Sequence, residues 1–496
     1  MPSPVLPASP SKLGQLTVQQ LWELLAPVTA HPHSPRGAFT NWGLTFACRP
    51  LCVFEPETEA QCALVLELAR REGKKVRVAG VGHSPSDLAC TSEYMLRTEK
   101  LDEVIEVSRE KHYIIAQAGI TLNALHDVLA QHGLAMKNLG SISDQTLGGV
   151  VTTATHGSGI DYPVISMDVR ALVLLLADGS RVRCSRQENP DLFMASICGL
   201  GSTGLILEVT LDVEPAFRLK EVQETHPFED VVRDLDSVAR AAEHVRLWWF
   251  PHAGVIRVSS SNRTHEVRPA ALYPRRPIYT WLWHSLVGYH LLQFLFFLGR
   301  YLPNVNNFVG RLGAWLVSDR TVAVDDSHRI FNVDCKYPQY TTEWAIPYDH
   351  TQACLRELRA WLDEELAAPS GLRPHFPVEI RFSDADDIWL SPSNGQKTTW
   401  IGLIQYKPYG TNVPYRKLFA RFEQFMLRHA GRPHWAKTHP LRPDDLRASY
   451  PRFDDFVALV ARVDPHGVFR NPYVERHFFG KQGPQYDARV FKARAL

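Results

Sequence analysis

Val76-Arg-Val-Ala-Gly-Val-Gly-His83-Ser-Pro-Ser-Asp87 is the stretch from which the fold reads outward. Residues 76–79 alternate and are β-branched, so they predict a short strand. Gly80 and Gly82 follow at once; without a Cβ they turn sharply and let backbone N–H groups approach a ligand. Successive turn N–H groups form a nest for anions such as a pyrophosphate. His83 then stands at the tip, followed by Ser84, Pro85, Ser86 and Asp87. On the loop alone two readings stay open. One is a turn whose histidine faces water; the other is a phosphate-cradling loop whose histidine is bonded to a cofactor.

The chain has 496 residues, which predicts two or three domains. Its hydrophobic fraction of 45% and charged fraction of 22% are those of a globular protein. A net charge of +1, with no long basic run, gives no field to draw nucleic acid or an anionic surface. The eight cysteines (48, 52, 62, 90, 184, 198, 335, 354) are scattered without a C-x-x-C pair. This argues against a zinc site or a disulfide framework and for a reducing, intracellular compartment. Residues 1–12 are rich in Pro and Ser and lack the apolar core of a secretory signal. Residues 1–40 are expected to be a partly disordered lead-in.

Residues 17–25 read either as a short helix capped by Thr17 or as tail. Residues 57–72 have helical spacing and end at Gly73; 104–107 and 113–117 read as strands; Thr121 caps a helix over 122–132. Residues 139–159 are dominated by small residues, and Val150 and Val151 within them suggest an ordered backbone laid against a flat ligand. Residues 169–176 and 181–184, joined by Asp178-Gly179, predict a β-hairpin. Asn189 is expected to cap a helix with Pro190 in its first turn, running toward Gly199. Gly199-Leu-Gly201-Ser-Thr-Gly204 matches G-x-G-x-x-G, but a helix precedes it and a strand over 205–211, containing Ile206, follows. That is the inverse of the dinucleotide fingerprint, so an NAD site of that type is not expected.

A boundary is placed after Glu214-Pro215. Beyond it, 246–251 reads as a strand, and 278–298 is strongly apolar with Arg275, Arg276 and Arg300 outside it. This segment has the length of a bilayer span, but His284, His290 and Gln293 make a free span costly. Spanning, lying at a headgroup boundary, and burial in a soluble core all remain open. Residues 327–333 and 343–347 return to strand texture, and 351–366 predicts a helix. In Glu379-Ile-Arg381, alternation places both charged side chains on one face of a strand. They form either a surface ion pair of little worth or an acid and a guanidinium facing a substrate. Gly431-Arg-Pro-His434-Trp-Ala-Lys437-Thr-His439 is a third polar cluster; it lacks metal-ligand spacing, so no metal is assigned.

Taken in order, Gly-His83-Ser-Pro-Ser-Asp, Leu-Gly140-Ser-Ile-Ser, Thr155-His156-Gly157, Trp344-Ala-Ile-Pro, Glu379-x-Arg381 and Arg432-Pro-His-Trp-Ala-Lys437 resemble the sugar-1,4-lactone oxidases of the vanillyl-alcohol-oxidase flavoprotein superfamily. The resemblance covers residues from Asn41 to the C-terminus and implies an α+β, two-lobed fold. An FAD-binding domain (41–215) would be completed by the C-terminal segment 446–496, with a cap of antiparallel sheet over 216–445. It implies FAD in 8α-histidyl linkage to His83. Gly80, Gly82, Ser84, Ser86, Gly140, Ser141, Ser143, Gly148, Thr155, His156, Gly201, Gly204 and Ile206 would lie along the cofactor.

The implied reaction moves the C2 hydride of an aldonolactone to flavin N5 and delivers the electrons to O2, giving hydrogen peroxide and ascorbate or erythroascorbate. Arg381 and Lys437 would face the developing negative charge. Glu379 would hold substrate hydroxyls and orient Arg381; Ser141 and His434 would also meet the substrate. Gly140 either leaves a path for oxygen, since related dehydrogenases carry alanine there, or is a turn glycine needing positive φ. L-Gulono- and D-arabinono-1,4-lactone both remain open as substrates, because they differ by one carbon outside the ring. Other readings are a membrane-associated dehydrogenase using a quinone or cytochrome, an alditol oxidase, and a flavin-binding protein without turnover. Peripheral contact through 278–298, at the mitochondrial or endoplasmic-reticulum membrane, is the expected location.

Overall fold

The computed structural model describes residues 13–267, 289–333, 335, 337–375, 377–484 and 486–487. Its first lobe begins with a three-stranded parallel sheet in which Tyr94–Arg97 lies between Cys52–Phe54 and Val76–Ala79. Parallel neighbours require a crossover. Helix Glu59–Glu72 connects the two outer strands of this sheet, started by a reciprocal capping box between Thr58 and Gln61 and stopped by Gly73 at φ +62°. The face with Leu64, Val65, Leu68 and Ala69 is buried. Helix Val18–Leu25, capped by Thr17, packs Leu21 and Leu25 into the same core. Within the stretch expected as a lead-in, the residues described from Leu13 onward thus include a capped helix with two buried leucines.

A five-stranded antiparallel sheet follows, in the order Arg181–Ser185, Val169–Leu175, Leu205–Asp212, Tyr113–Gln117, Val104–Ser108. The small-residue stretch 139–159 is ordered and contains a short helix, Leu147–Thr152, that the sequence reading lacked; Val150 and Val151 are buried within it.

The second lobe is an eight-stranded antiparallel sheet: Thr321–Asp326, Arg218–Pro227, Val255–Thr264, His244–Phe250, Val378–Ser383, Thr398–Tyr406, Gln339–Pro347, Arg432–Pro433. Cross-strand partners share a face. Trp248, Glu379, Gly402 and Glu343 form one row, and Arg246, Arg381, Trp400 and Ala345 the next. The opposite face, with Trp249, Ile380, Ile401 and Trp344, is in the core with Trp361 of helix Thr351–Ala367 and Phe422 of helix Arg416–Arg428.

The chain end returns to the opening loop. Val76 N–H donates to Val468 O at 2.7 Å, Asn471 holds the carbonyls of Leu88 and Cys90, and Arg476 forms a bidentate pair with Asp87.

Three local expectations are corrected. Residues 327–331 are helical (Ser327–Phe331), not a strand: the preceding strand ends at Asp326, and Phe331 turns into the core instead of alternating. Asn189 is left-handed at φ +50°, and its side chain donates to Arg183 O instead of capping the helix. That helix, Pro190–Ser196, also ends before Gly199. Of the apolar segment, 278–288 lies outside the described residues, and 289–298 leads through a single wide turn into helix Leu292–Gly299. No helix among the described residues is long and apolar enough to cross a membrane.

Candidate active site

Two lobes meet along 139–159. Val333 N–H donates to Ser141 O at 2.8 Å, Ser143 Oγ to Asn332 Oδ1 at 2.8 Å, and Gly159 N–H to Phe382 O at 3.0 Å. Close approach explains the small residues: a Cβ on Gly157 would lie 2.1 Å from Asn138 Oδ1. Gly140 is different. It has no positive φ, and a Cβ there would meet Thr155 Cγ2 at 3.3 Å, so turn geometry does not demand glycine.

At this seam lies a buried charge cluster. Arg381 Nη2 is 3.2 Å from Glu343 Oε1 and 3.4 Å from Glu379 Oε2, and Arg381 Nη1 donates to His156 O at 3.3 Å. Lys437 Nζ is 3.5 Å from Glu343 Oε2, and Ser141 Oγ donates to Glu379 Oε1 at 3.2 Å. The His156 ring stacks on Trp400, centroids 3.7 Å apart, with Nε2 3.2 Å from Glu343 Oε1 but without the alignment of a hydrogen bond. The His434 ring packs beside both rings, and the backbone N–H of His434 donates to the backbone carbonyl of Glu343. Ser141, His156, Glu379, Arg381, His434 and Lys437 are thus brought together.

Glu343 was missed by sequence reasoning, yet it touches more of the cluster than any residue that was named. Its one signal was position, directly before Trp344-Ala-Ile-Pro and alone as an acid in its strand. Burial pushes its carboxyl up, but Arg381, then Lys437, outweigh burial and hold it well below the usual carboxylate range. Burial, then Arg381, lowers His156; burial, then Lys437, lowers His434 well below the imidazole range. Both rings are therefore neutral, and the cluster sets two cations against two carboxylates. His156, Glu343 and His434 also converge closely enough to hold a metal ion. Arg381 and Lys437 already occupy the carboxylate, so the cluster is read as an ion-pair network.

His83 stacks against Trp42 at 5.5 Å and lines a cavity of about 400 Å³ with Ser141, Ser143 and Asp144. Its Nδ1 is buried with no hydrogen-bond partner. Burial lowers the ring below the usual imidazole range, Asp144 opposes this, and Lys437 adds to it. A second, narrow groove is lined by Gly80, Gly148, Gly201, Gly204 and Ile206 together with Arg77. A Cβ on Gly80 would collide with Thr146 Oγ1 at 2.2 Å. Arg77, also missed, is a buried cation whose Nε and Nη1 have no partner. Its only sequence signal was a charge inside a β-branched strand. Buried unpaired donors of this kind are costly unless an anion meets them. An orphaned ring nitrogen at one end and an unpaired guanidinium among glycines at the other fit an elongated cofactor bearing phosphates.

The remaining named residues have local roles. Gly82 has φ +81° against Phe39. Ser84 O accepts from Asn41 Nδ2, and Ser86 Oγ caps the turn Asp87–Ala89. Thr155 bonds Thr153. Ser84 and Ser86 line neither cavity.

Comparison with known proteins gives a consistent picture. The profile of the D-arabinono-1,4-lactone oxidase family matches residues 209–477, and that of an FAD binding domain matches 50–185. The L-gulonolactone oxidase of Scyliorhinus torazame is 39% identical over 89% of this chain and 98% of its own. The D-arabinono-1,4-lactone oxidase of Yarrowia lipolytica is 30% identical over 80% of this chain and 85% of its own. A crystal structure of cholesterol oxidase from B. sterolicum superposes with a TM-score of 0.71 at 17% identity, covering 91% of this chain and 99% of that one; it shares the fold.

Proposed function

The chain belongs to the D-arabinono-1,4-lactone oxidase family, and from that premise we propose that it is an FAD-dependent oxidase of aldono-1,4-lactones. The observation that carries the reading is the buried Arg381–Glu343–Lys437 network, joined through Glu379 to Ser141, which lines the cavity of His83. The substrate is L-gulono- or D-arabinono-1,4-lactone, and the acceptor is O2.

FAD, when bound, supplies the hydride acceptor and the route of electrons to oxygen. In this reading His83 is its covalent anchor, through the ring edge left without a partner. Arg77 and the N–H groups of the glycine turns hold its phosphates. Ser141 and Glu379 bind lactone hydroxyls. Arg381 and Lys437 offset the negative charge that develops as the substrate hydroxyl loses its proton. Glu343, itself buried, fixes both cations. The stacked, neutral rings of His156 and Trp400 exclude water from the same floor.

The apolar segment ending in helix Leu292–Gly299 gives the protein a peripheral contact with a membrane surface. The oxidase reading is tested by stoichiometry under air: one hydrogen peroxide should form per lactone consumed. Lactone turnover with added quinone or cytochrome but no peroxide would replace it with a dehydrogenase.

A further inference from the structure

Helices Leu292–Gly299 and Pro303–Leu316 pack against each other as a hairpin. They approach closely because Gly299 has no side chain: a Cβ there would lie 1.9 Å from Asn306 Oδ1. One side of the hairpin is packed through Phe296, Val309 and Ala314. The other carries large apolar residues into solvent: Phe294, Tyr301, Leu302, Phe308 (58% exposed) and Trp315 (69% exposed). Phe308 and Trp315, seven apart, share one helical stripe with Arg311 between them. Such a cluster of aromatic and aliphatic side chains is the composition of a surface that enters a headgroup boundary.

Beside the hairpin turn is a cavity of about 470 Å³, and its charge is one-sided. Arg300, Arg373, Arg416 and Lys417 line it, and among the described residues no carboxylate side chain does. Arg416 is matched by Asp487 outside the cavity. Arg373 is buried, with its terminal nitrogens committed to the carbonyls of Glu365 and Ala368 and its Nε without a partner. His375 adds no charge, because burial lowers it to about 3. A pocket with a buried guanidinium, the ammonium of Lys417 and neutral amide donors suits a phosphate-type anion.

We propose that this hairpin seats in the interface of an anionic phospholipid bilayer and that the adjoining cavity takes the phosphate of a lipid headgroup. Charge complementarity selects the occupant: the apolar stripe suits acyl chains, and the cations line a cavity that includes the hairpin turn, as headgroup phosphates would require. The proposal rests on the peripheral membrane contact above and adds to it a preference for lipid charge.

The test is flotation of the full-length holoenzyme with phosphatidylcholine vesicles and with phosphatidylcholine–phosphatidylserine vesicles. Tighter retention on the anionic vesicles is expected. Lys417→Gln should weaken that retention roughly fivefold, the effect of about 1 kcal/mol per juxtamembrane cation, with Lys417→Arg restoring it. Lys111→Gln, on the first lobe, should change nothing. Equal retention on both vesicles, or an unaltered preference in Lys417→Gln, overturns the headgroup site while leaving the apolar contact intact. Retention on neither overturns both. Thermal stabilisation by inorganic phosphate without vesicle retention overturns the bilayer in favour of a soluble phosphate ligand.

Discussion

Glu343 reaches past the bare backbone of Gly402 in the intervening strand to place its carboxylate 3.2 Å from the Arg381 guanidinium. It is the shared anion of Arg381 and Lys437, so it sets how much positive potential remains for the flavin and substrate. Glu343→Gln keeps the shape and removes the charge. The flavin midpoint potential should rise, by about 30 mV for each 1.4 kcal/mol of added stabilisation of the reduced, anionic form. Glu343→Asp should lie nearer the wild-type value. A potentiometric titration that shows no change in Glu343→Gln would assign the residue to packing alone.

Arg381→Ala removes the cation itself. Lactone-driven flavin reduction should slow by about 10²–10³-fold, the usual consequence of losing one preorganised donor at a developing anion. Flavin content should change far less, because the cofactor groove around Arg77 and Gly201 is built from the other lobe. Stopped-flow reduction under nitrogen, with flavin absorbance measured per polypeptide, reads both quantities.

How much of this was legible beforehand follows the range of the interactions. The strand–turn of Val76–His83 and the shared face of Glu379 and Arg381 depend on alternation and turn chemistry within a few residues, and they read directly. Glu343 did not, because its meaning comes from a strand order that places Val378–Ser383 and Gln339–Pro347 on either side of Thr398–Tyr406. Arg77 was hidden for the same reason: its unpaired nitrogens show only when the glycines of 199–204 fold onto it. The helix Ser327–Phe331 was masked by apolar residues that mimic alternation, and tertiary anchoring of Phe331 decided the matter.

Acid should destabilise the protein through its buried imidazoles, with Asp386 and Glu423, which burial raises to about 7, offsetting part of the effect. Burial lowers His126 and His252 to about 4, and His375 and His477 to about 3. Unfolded imidazoles take up protons below about 6.5, whereas these native ones do not. Between those limits the unfolded state binds more protons, so stability falls as pH falls, by up to about 1.4 kcal/mol per pH unit for each ring. Tm should drop steadily from pH ~7 to pH ~5. A constant Tm across that interval would show that these rings are protonated in the folded chain.

Gly140→Ala should fold once the Thr155 methyl, 3.3 Å from the new Cβ, gives by a few tenths of an ångström, since no positive φ has to be supported. If the missing methyl keeps a path open for oxygen, the alanine slows reoxidation of the reduced enzyme and leaves reduction by lactone largely intact. Equal oxygen reactivity in the two proteins would place the gate elsewhere.

Covalent attachment has its own signature. Yellow colour should stay with the acid-precipitated polypeptide in the wild type and move to the supernatant in His83→Ala. A colourless wild-type pellet would mean that the orphaned Nδ1 of His83 serves another purpose.

The central claim is the reaction class, and the most direct measurement is anaerobic mixing of the purified holoenzyme with L-gulono-1,4-lactone, D-arabinono-1,4-lactone, L-galactono-1,4-lactone and xylitol while following flavin absorbance. Rapid bleaching by one or more lactones and not by xylitol is the predicted result, with the rates ranking the substrates. Bound flavin left oxidised by every lactone would contradict the account.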